Sequence, residues 1–419
     1  MSSVFDLIAA LLVVTAGFAW ANHLWLRLPA NIGILVMGLC SSLLLIAIEF
    51  LFPGNHVYDA LARTLRRIDF YEAVMQGMLA FLLFAGALHV DIGRLRSRAP
   101  VVILLATFGV FLSTLLIGAG MWLAAMMLGL QLPLTWALVF GALIAPTDPV
   151  AVLSTLRSVK VPQSLEMDMT GEALFNDGVA VVLFSLMLAI AVGTSGEFGP
   201  ARALSLLFIE AVGGGLIGFA SGYVAYLALH AIDDYSTEVM ITIALVAGTY
   251  ALANALHTSG PIAVVVAGVL TGNRSAEHAM SDITQRYVFG FWTLTDDILN
   301  AILFLLIGLE VLVLEFDPGL LVIAVISIPL ALLARFLSVG GPILLLARWQ
   351  NFVPGTVAVL TWGAVRGGIS IALALSLPTG PARSLILAAT YAVVLFTVIV
   401  QGLSLGKVIR ATCALPAKS

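Results

Sequence analysis

Long apolar runs separated by short polar breaks set the pattern of this chain from end to end. A helix that crosses a bilayer needs about 20 consecutive, predominantly apolar residues. Dividing the chain at prolines, glycines and charge clusters predicts about 13 spans, over residues 4–22, 29–52, 70–90, 99–129, 133–156, 168–194, 201–230, 236–256, 260–272, 288–315, 319–348, 352–377 and 384–409. The ninth is short, the tenth opens on polar residues, and the stretch from Gly272 to Gln285 is the longest polar connection. The runs are continuous and show no ten-residue alternation, so helices are expected rather than a β-barrel. The first run, Val4 to Ala21, has no basic segment before it and carries only Asp6, so it reads as a membrane helix rather than a signal peptide. No regulatory domain is expected after the last run.

Composition fixes the solvent. The chain is 61% hydrophobic and 10% charged, with a mean hydropathy of +1.11, whereas a soluble domain is about half apolar and a quarter charged. Lipid must surround most of it, and in lipid every backbone N–H and C=O has to be paired internally. The net charge of −4 excludes no partner class. Cys40 and Cys413 lie in or beside apolar runs and read as small apolar side chains, not a disulfide. There is no zinc-like cluster and no nucleotide or nucleic-acid motif, so no cofactor is expected. With the N-terminus outside and 13 spans, 12 of the 19 basic residues fall in inside segments and 5 outside, with Arg63, Arg66 and Arg67 opposing the trend. The positive-inside rule therefore predicts a multi-pass protein of the cell membrane with its C-terminus in the cytoplasm.

The last two basic residues, Arg335 and Arg366, fall within apolar spans, as do Asp148, Glu172 and Asp177. An ionisable group at mid-membrane costs at least a few kcal/mol and marks function unless it is a structural ion pair. In the fifth span, Ala145-Pro-Thr-Asp-Pro149 places two prolines three apart. Each removes a backbone donor and crowds the preceding turn, so the helix should break there and expose carbonyls such as that of Thr147. Broken backbone at this depth is tolerated only where it is buried or lines a cavity. Asp148 before Pro149 suits an N-cap, and also a carboxylate facing a cation.

The sixth span opens Gly171-Glu-Ala-Leu-Phe-Asn-Asp-Gly178. Glu172 and Asn176 share one face of the helix, and Ala173 and Asp177 the next. The small residues Ala173 and Gly178 allow another backbone close to Asp177. A carboxylate is a hard oxygen ligand suited to a hard cation, and one that holds either a proton or a cation suffices for exchange. Arg335 needs a carboxylate and is paired with Glu172, which leaves Asp177 to titrate. In the twelfth span, three glycines surround Arg366 and invite a second break, whose carbonyl ends Arg366 could complement. Taking spans 1–6 and 8–13 as two six-helix halves of opposite topology makes span 5 equivalent to span 12. Paired interruptions in equivalent spans point to a transporter's binding site.

At these residues the chain resembles the monovalent cation:proton antiporter-1 family of NhaP-type and animal and plant sodium/proton exchangers. The likeness rests on Ala145-Pro-Thr-Asp-Pro149, Gly171-Glu-Ala-Leu-Phe-Asn-Asp-Gly178, Ser259-Gly-Pro-Ile-Ala-Val-Val265 and Val365-Arg-Gly-Gly-Ile369, and it extends from Leu28-Pro29 to the last helix. It implies an all-α membrane fold of two inverted repeats with crossed, discontinuous helices 5 and 12, usually a homodimer. Residues 1–96 and 200–317 would form the dimerisation domain with linker helix 7, and 97–199 and 318–419 the core. It implies Na+ at Asp177 and Asp148 beside Thr147, an Asn176–Asp177 pair associated with one-for-one electroneutral exchange, a structural pair of Glu172 with Arg335, and charge compensation by Arg366. Many members have serine where this chain has Ala173, so one oxygen ligand is missing from the pattern.

The function expected is secondary antiport of Na+, or of Li+ or K+, against H+. A cation channel or ion-gated sensor on the same fold is the alternative. An intramembrane aspartyl hydrolase is disfavoured, because no second catalytic Asp-Gly motif accompanies Asp177. His257, His89, His230 and His278 read as loop or span-end residues. Asp296, Asp297 and Asn300 read as a solvated helix start or as part of an ion entrance, Glu210 has no evident partner, and Gly213-Gly-Gly215 permits close packing.

Overall fold

The computed structural model describes residues 4–52, 70–148, 161–193, 200–312 and 318–413. All regular structure among them is helical. In chain order the helices are α1 (Val4–Ala21), α2 (Ala30–Leu51), α3 (Phe70–Leu88), α4 (Ile92–Met127), α5 (Leu134–Ile144), α6 (Gln163–Val192) and α7 (Pro200–His230). There follow α8 (Tyr235–Ala255), α9 (Gly260–Leu270), α10 (Asp282–Glu310), α11 (Leu321–Leu346), α12a (Thr356–Trp362), α12b (Gly368–Leu375) and α13 (Pro381–Thr412). Among the described residues, ten helices are long and apolar enough to cross a bilayer. The other three expected spans, the fifth, ninth and twelfth, are the short or divided ones. α5 and α9 have 11 residues each, and the twelfth is split into helices of 7 and 8 residues.

Two boundaries differ from the expected ones for one reason. α4 starts at Ile92 rather than 99, because the Asp91 side chain accepts from the Arg94 N–H at 3.0 Å and caps a first turn made of polar residues. α10 starts at Asp282 rather than 288, where Ser281 caps in the same way. Capped polar turns extend a helix past its apolar run, and hydropathy does not register them. Asp148 as cap of the segment opening at Pro149 lies outside the described residues.

The exterior suits lipid: Phe5, Trp25, Met127 and Leu344 are among its exposed large side chains. Where the solvent is hydrocarbon, helices associate through close packing more than through the hydrophobic effect, and small residues bring backbones together. At Gly141 a β-carbon would lie 2.3 Å from the Thr114 carbonyl oxygen, so α5 rides directly on α4. At Gly218 it would lie 2.1 Å from the Ala263 carbonyl oxygen, which seats α7 on α9. Gly213 and Gly214 press on Thr258 and Ser259, as expected of close packing, whereas a β-carbon on Gly215 would meet nothing within 4 Å; the Ser259 N–H donates to the backbone oxygen of Glu210 at 3.2 Å. The strongest packing pairs α4 with α5, α6 and α11, α5 with α6, and α13 with α11, and joins α3, α7, α8, α9 and α10 in a second set with α2 against α10.

Candidate functional site

The two interrupted spans cross. α5 ends at Ile144 and α12a at Trp362, and the unwound segments 145–148 and 363–367 lie against each other. The Asp148 N–H donates to the Val365 carbonyl at 2.8 Å. A β-carbon on Gly367 would lie 2.0 Å from Asp148 Oδ2, so only glycine lets that carboxylate lie so close to the second segment.

Each segment carries the charge the other lacks. α5 ends on carbonyls that have no helical partner, and Arg366 Nη1 donates to the oxygens of Ala145 at 2.5 Å and Pro146 at 2.6 Å. Its own N–H donates to Thr397 Oγ1 at 3.1 Å, on a wide π-type turn of α13. Asp148 in turn lies beside Gly367, at the start of α12b, where unpaired N–H groups complement negative charge. Arg366 was expected to compensate the break in its own span; instead it neutralises the carbonyl end of the other, because those carbonyls face it across the crossing.

α6 runs past this crossing without a break and presents the carboxylates. Glu172 and Arg335 form a bidentate pair, with Arg335 Nη2 at 2.8 Å from Glu172 Oε2 and Nη1 bonded to Oε1. Arg335 also donates to the Leu360 carbonyl of α12a from Nε and Nη2, each at 3.3 Å. Five residues along α6, Asp177 is 4% exposed and has no hydrogen bond or ion pair among the described residues. Gly178 beside it admits Ile262 of α9: a β-carbon there would meet Ile262 Cγ1 at 2.6 Å. Asn176 donates through Nδ2 to Thr147 Oγ1 at 2.9 Å, which ties α6 to the broken segment, and its Oδ1 is buried with no partner among the described residues. The break points to the Thr147 carbonyl as the group exposed at the site; the contact observed is through the Thr147 hydroxyl.

Asp148 and Asp177 open on one cavity of about 60 Å3, room for a few waters. Pro146, Leu174 and Gly367 to Ser370 complete this wall. The facing wall is apolar where α3 forms it, with Val74, Leu79, Leu82, Leu83 and Gly86, and polar where α10 supplies Asp296 and Asn300. Asp297, their neighbour, is exposed. No cluster of three or more His, Cys, Asp or Glu residues that could hold a metal ion occurs among the described residues.

A second buried pair was not anticipated. Arg98 forms a bidentate contact with Asp168, with Nε at 2.7 Å from Oδ1 and Nη2 bonded to Oδ2. Its Nη1 also reaches Gln350 Oε1 and the Asn351 carbonyl. This pair clamps the starts of α4 and α6 to the segment before α12a. Its signal was the spacing: Asp168 lies one turn before Glu172 on the same face of α6, so two carboxylates there implied two arginines.

The family model described as "Sodium/hydrogen exchanger, transmembrane" matches residues 8–411. The Na+/H+ antiporter NhaP of Pseudomonas aeruginosa is 46% identical over 412 residues, covering 97% of this chain and 96% of that one. The Na+/H+ antiporter NhaH of Halobacillus dabanensis is 38% identical over 349 residues, covering 81% and 83%. Among solved structures, the sodium proton antiporter MjNhaP1 from Methanocaldococcus jannaschii at pH 8 superposes with a TM-score of 0.72 at 21% identity, over 96% of this chain and 97% of that one, which shows a shared fold.

Proposed function

The chain belongs to the sodium/hydrogen exchanger family, and on that premise we propose that it is a secondary transporter exchanging Na+ for H+ through a single carboxylate, Asp177. One observation carries the assignment of that residue: it is a buried carboxylate on the cavity that no arginine among the described residues holds, while its neighbour Glu172 is bound on both oxygens. A deprotonated Asp177 is a hard anionic ligand for Na+. Protonated, it is neutral and the cation has no counter-charge. Two occupants excluding each other at one group make influx of one depend on efflux of the other. Asp148 supplies the second negative wall of the cavity, Thr147 and Asn176 link the broken segment to α6, and Arg366 keeps the crossing neutral.

Alternating access needs two bodies. α4–α6 with α11–α13 form the moving core, and α1–α3 with α7–α10 form the scaffold on which two copies dimerise. The packing groups support this division, and the cavity lies where α6 and α12b of one group face α3 and α10 of the other. The distribution of basic residues supports an outside N-terminus and a cytoplasmic C-terminus.

The test is flux of Na+, Li+ and K+ against protons in proteoliposomes, with and without an imposed voltage. Saturable Na+ flux that requires an opposing proton gradient and ignores voltage supports one-for-one exchange. Cation current that needs no counter-ion would establish the channel reading instead.

A further inference from the structure

Building on the exchange reading, we infer that Asn300, oriented by Asp296, is a cation ligand donated from the facing helix α10 and sets the preference among monovalent cations. Asn300 is 1% exposed and lines the cavity of Asp148 and Asp177 from the opposite wall. Its orientation is fixed. Nδ2 donates to the Asp296 backbone oxygen and to Asp296 Oδ1, both at 2.8 Å. Both amide hydrogens are thereby used, and the group left to meet an ion is the carbonyl oxygen Oδ1. An amide carbonyl is a hard ligand without charge, so it favours a cation without competing for the proton.

The rest of the cavity creates the need for this oxygen. An entering cation exchanges water for protein oxygens. Five polar side chains line the cavity: Asp148, Asp177, Asp296, Asn300 and Ser370. The α3 wall offers none. On α6, the residue one turn before Asp177 is Ala173, buried and without a side-chain oxygen. Two of the five polar groups therefore come from α10, across the boundary between the two packing groups. A ligand on one body and a carboxylate on the other can hold the same ion only while the bodies are as close as they are here. The ligand set, and with it the affinity, differs between the two access states.

The experiment compares cation-dependent proton flux in proteoliposomes for the unmutated protein, Asn300→Ala, and Asn300→Ala combined with Ala173→Ser, which returns an oxygen from α6. Asn300→Ala should raise the apparent KM for Na+ by about tenfold, the order of one lost hydrogen-bond-strength contact, with kcat within about twofold. The ratio of Li+ to Na+ preference should change, and Ala173→Ser should reverse most of the rise in KM. Asn300→Ser, which keeps an oxygen, should fall between and serves as the reporter if the alanine variant does not fold. An unchanged KM and cation ratio in a folded variant, or a KM rise that Ala173→Ser leaves in place, overturns the inference. Absence of cation-dependent proton flux in the unmutated protein would instead sink the exchange reading.

Discussion

Glu172 and Asp177 lie five residues apart on α6, and both are almost wholly buried. Arg335 grips both oxygens of Glu172, whereas Asp177 faces a cavity and no basic side chain among the described residues bonds to it. A carboxylate satisfied by a guanidinium is a fixed structural charge, because releasing it would strand two ions in a low-dielectric interior. A carboxylate left without such a partner must find a mobile one. The difference is geometric: Glu172 faces α11, where Arg335 stands, and Asp177 faces the cavity at the crossing of the broken segments, where Arg366 is committed to backbone carbonyls. One helix thus carries a lock and a carrier, separated by little more than a turn.

The largest effect expected from breaking this comparison is at the lock. Arg335→Ala should destabilise the protein by about 3–5 kcal/mol, because Glu172 is left buried and unpaired. The thermal transition in detergent measures it, and Glu172→Gln in the same chain should recover part of the loss. An equal transition for Arg335→Ala and the unmutated protein would mean that the pair contributes nothing.

Arg366→Ala comes next. It leaves the carbonyls of Ala145 and Pro146 unpaired in the membrane interior, at about 1–3 kcal/mol for each that finds no water. Because the same carbonyls shape the segment that carries Asp148, exchange should fall at least as far as stability does. Full flux in a folded Arg366→Ala variant would contradict that linkage.

Much of this site is legible in the sequence. Two prolines around Asp148 and three glycines around Arg366 announced breaks that the structure places face to face. The pairing of Glu172 with Arg335 followed because few deep charges exist to be matched. The reciprocity of the crossing was not legible, since hydropathy does not say whose carbonyls Arg366 meets. Arg98 was missed because it sits among Arg94 and Arg96 and reads as one of a basic cluster, although its side chain turns inward to Asp168. Asp296 and Asn300 stayed ambiguous because a capped, polar helix start and a cavity wall have the same composition.

The smallest effect lies far from the site. Asp234, at the surface before α8, accepts from the Thr237 hydroxyl and N–H, and these bonds, the hydroxyl's first, hold its carboxyl below the usual value of 3.8. A lowered value means that the cap's contribution is present above that pH and is lost as pH falls through the folded value. Asp234→Asn should therefore leave stability at neutral pH nearly unchanged and flatten only its decline in acid. A loss at neutral pH equal to that of Arg335→Ala would erase the contrast between surface cap and buried lock.

The contrast between Asp177 and Glu172 is tested most directly by proton release from purified protein on addition of Na+, read with a pH dye in weak buffer. Release should be saturable in the unmutated protein and absent in Asp177→Asn, with the variant's thermal transition intact. Release of the same size from folded Asp177→Asn would show that the proton resides elsewhere.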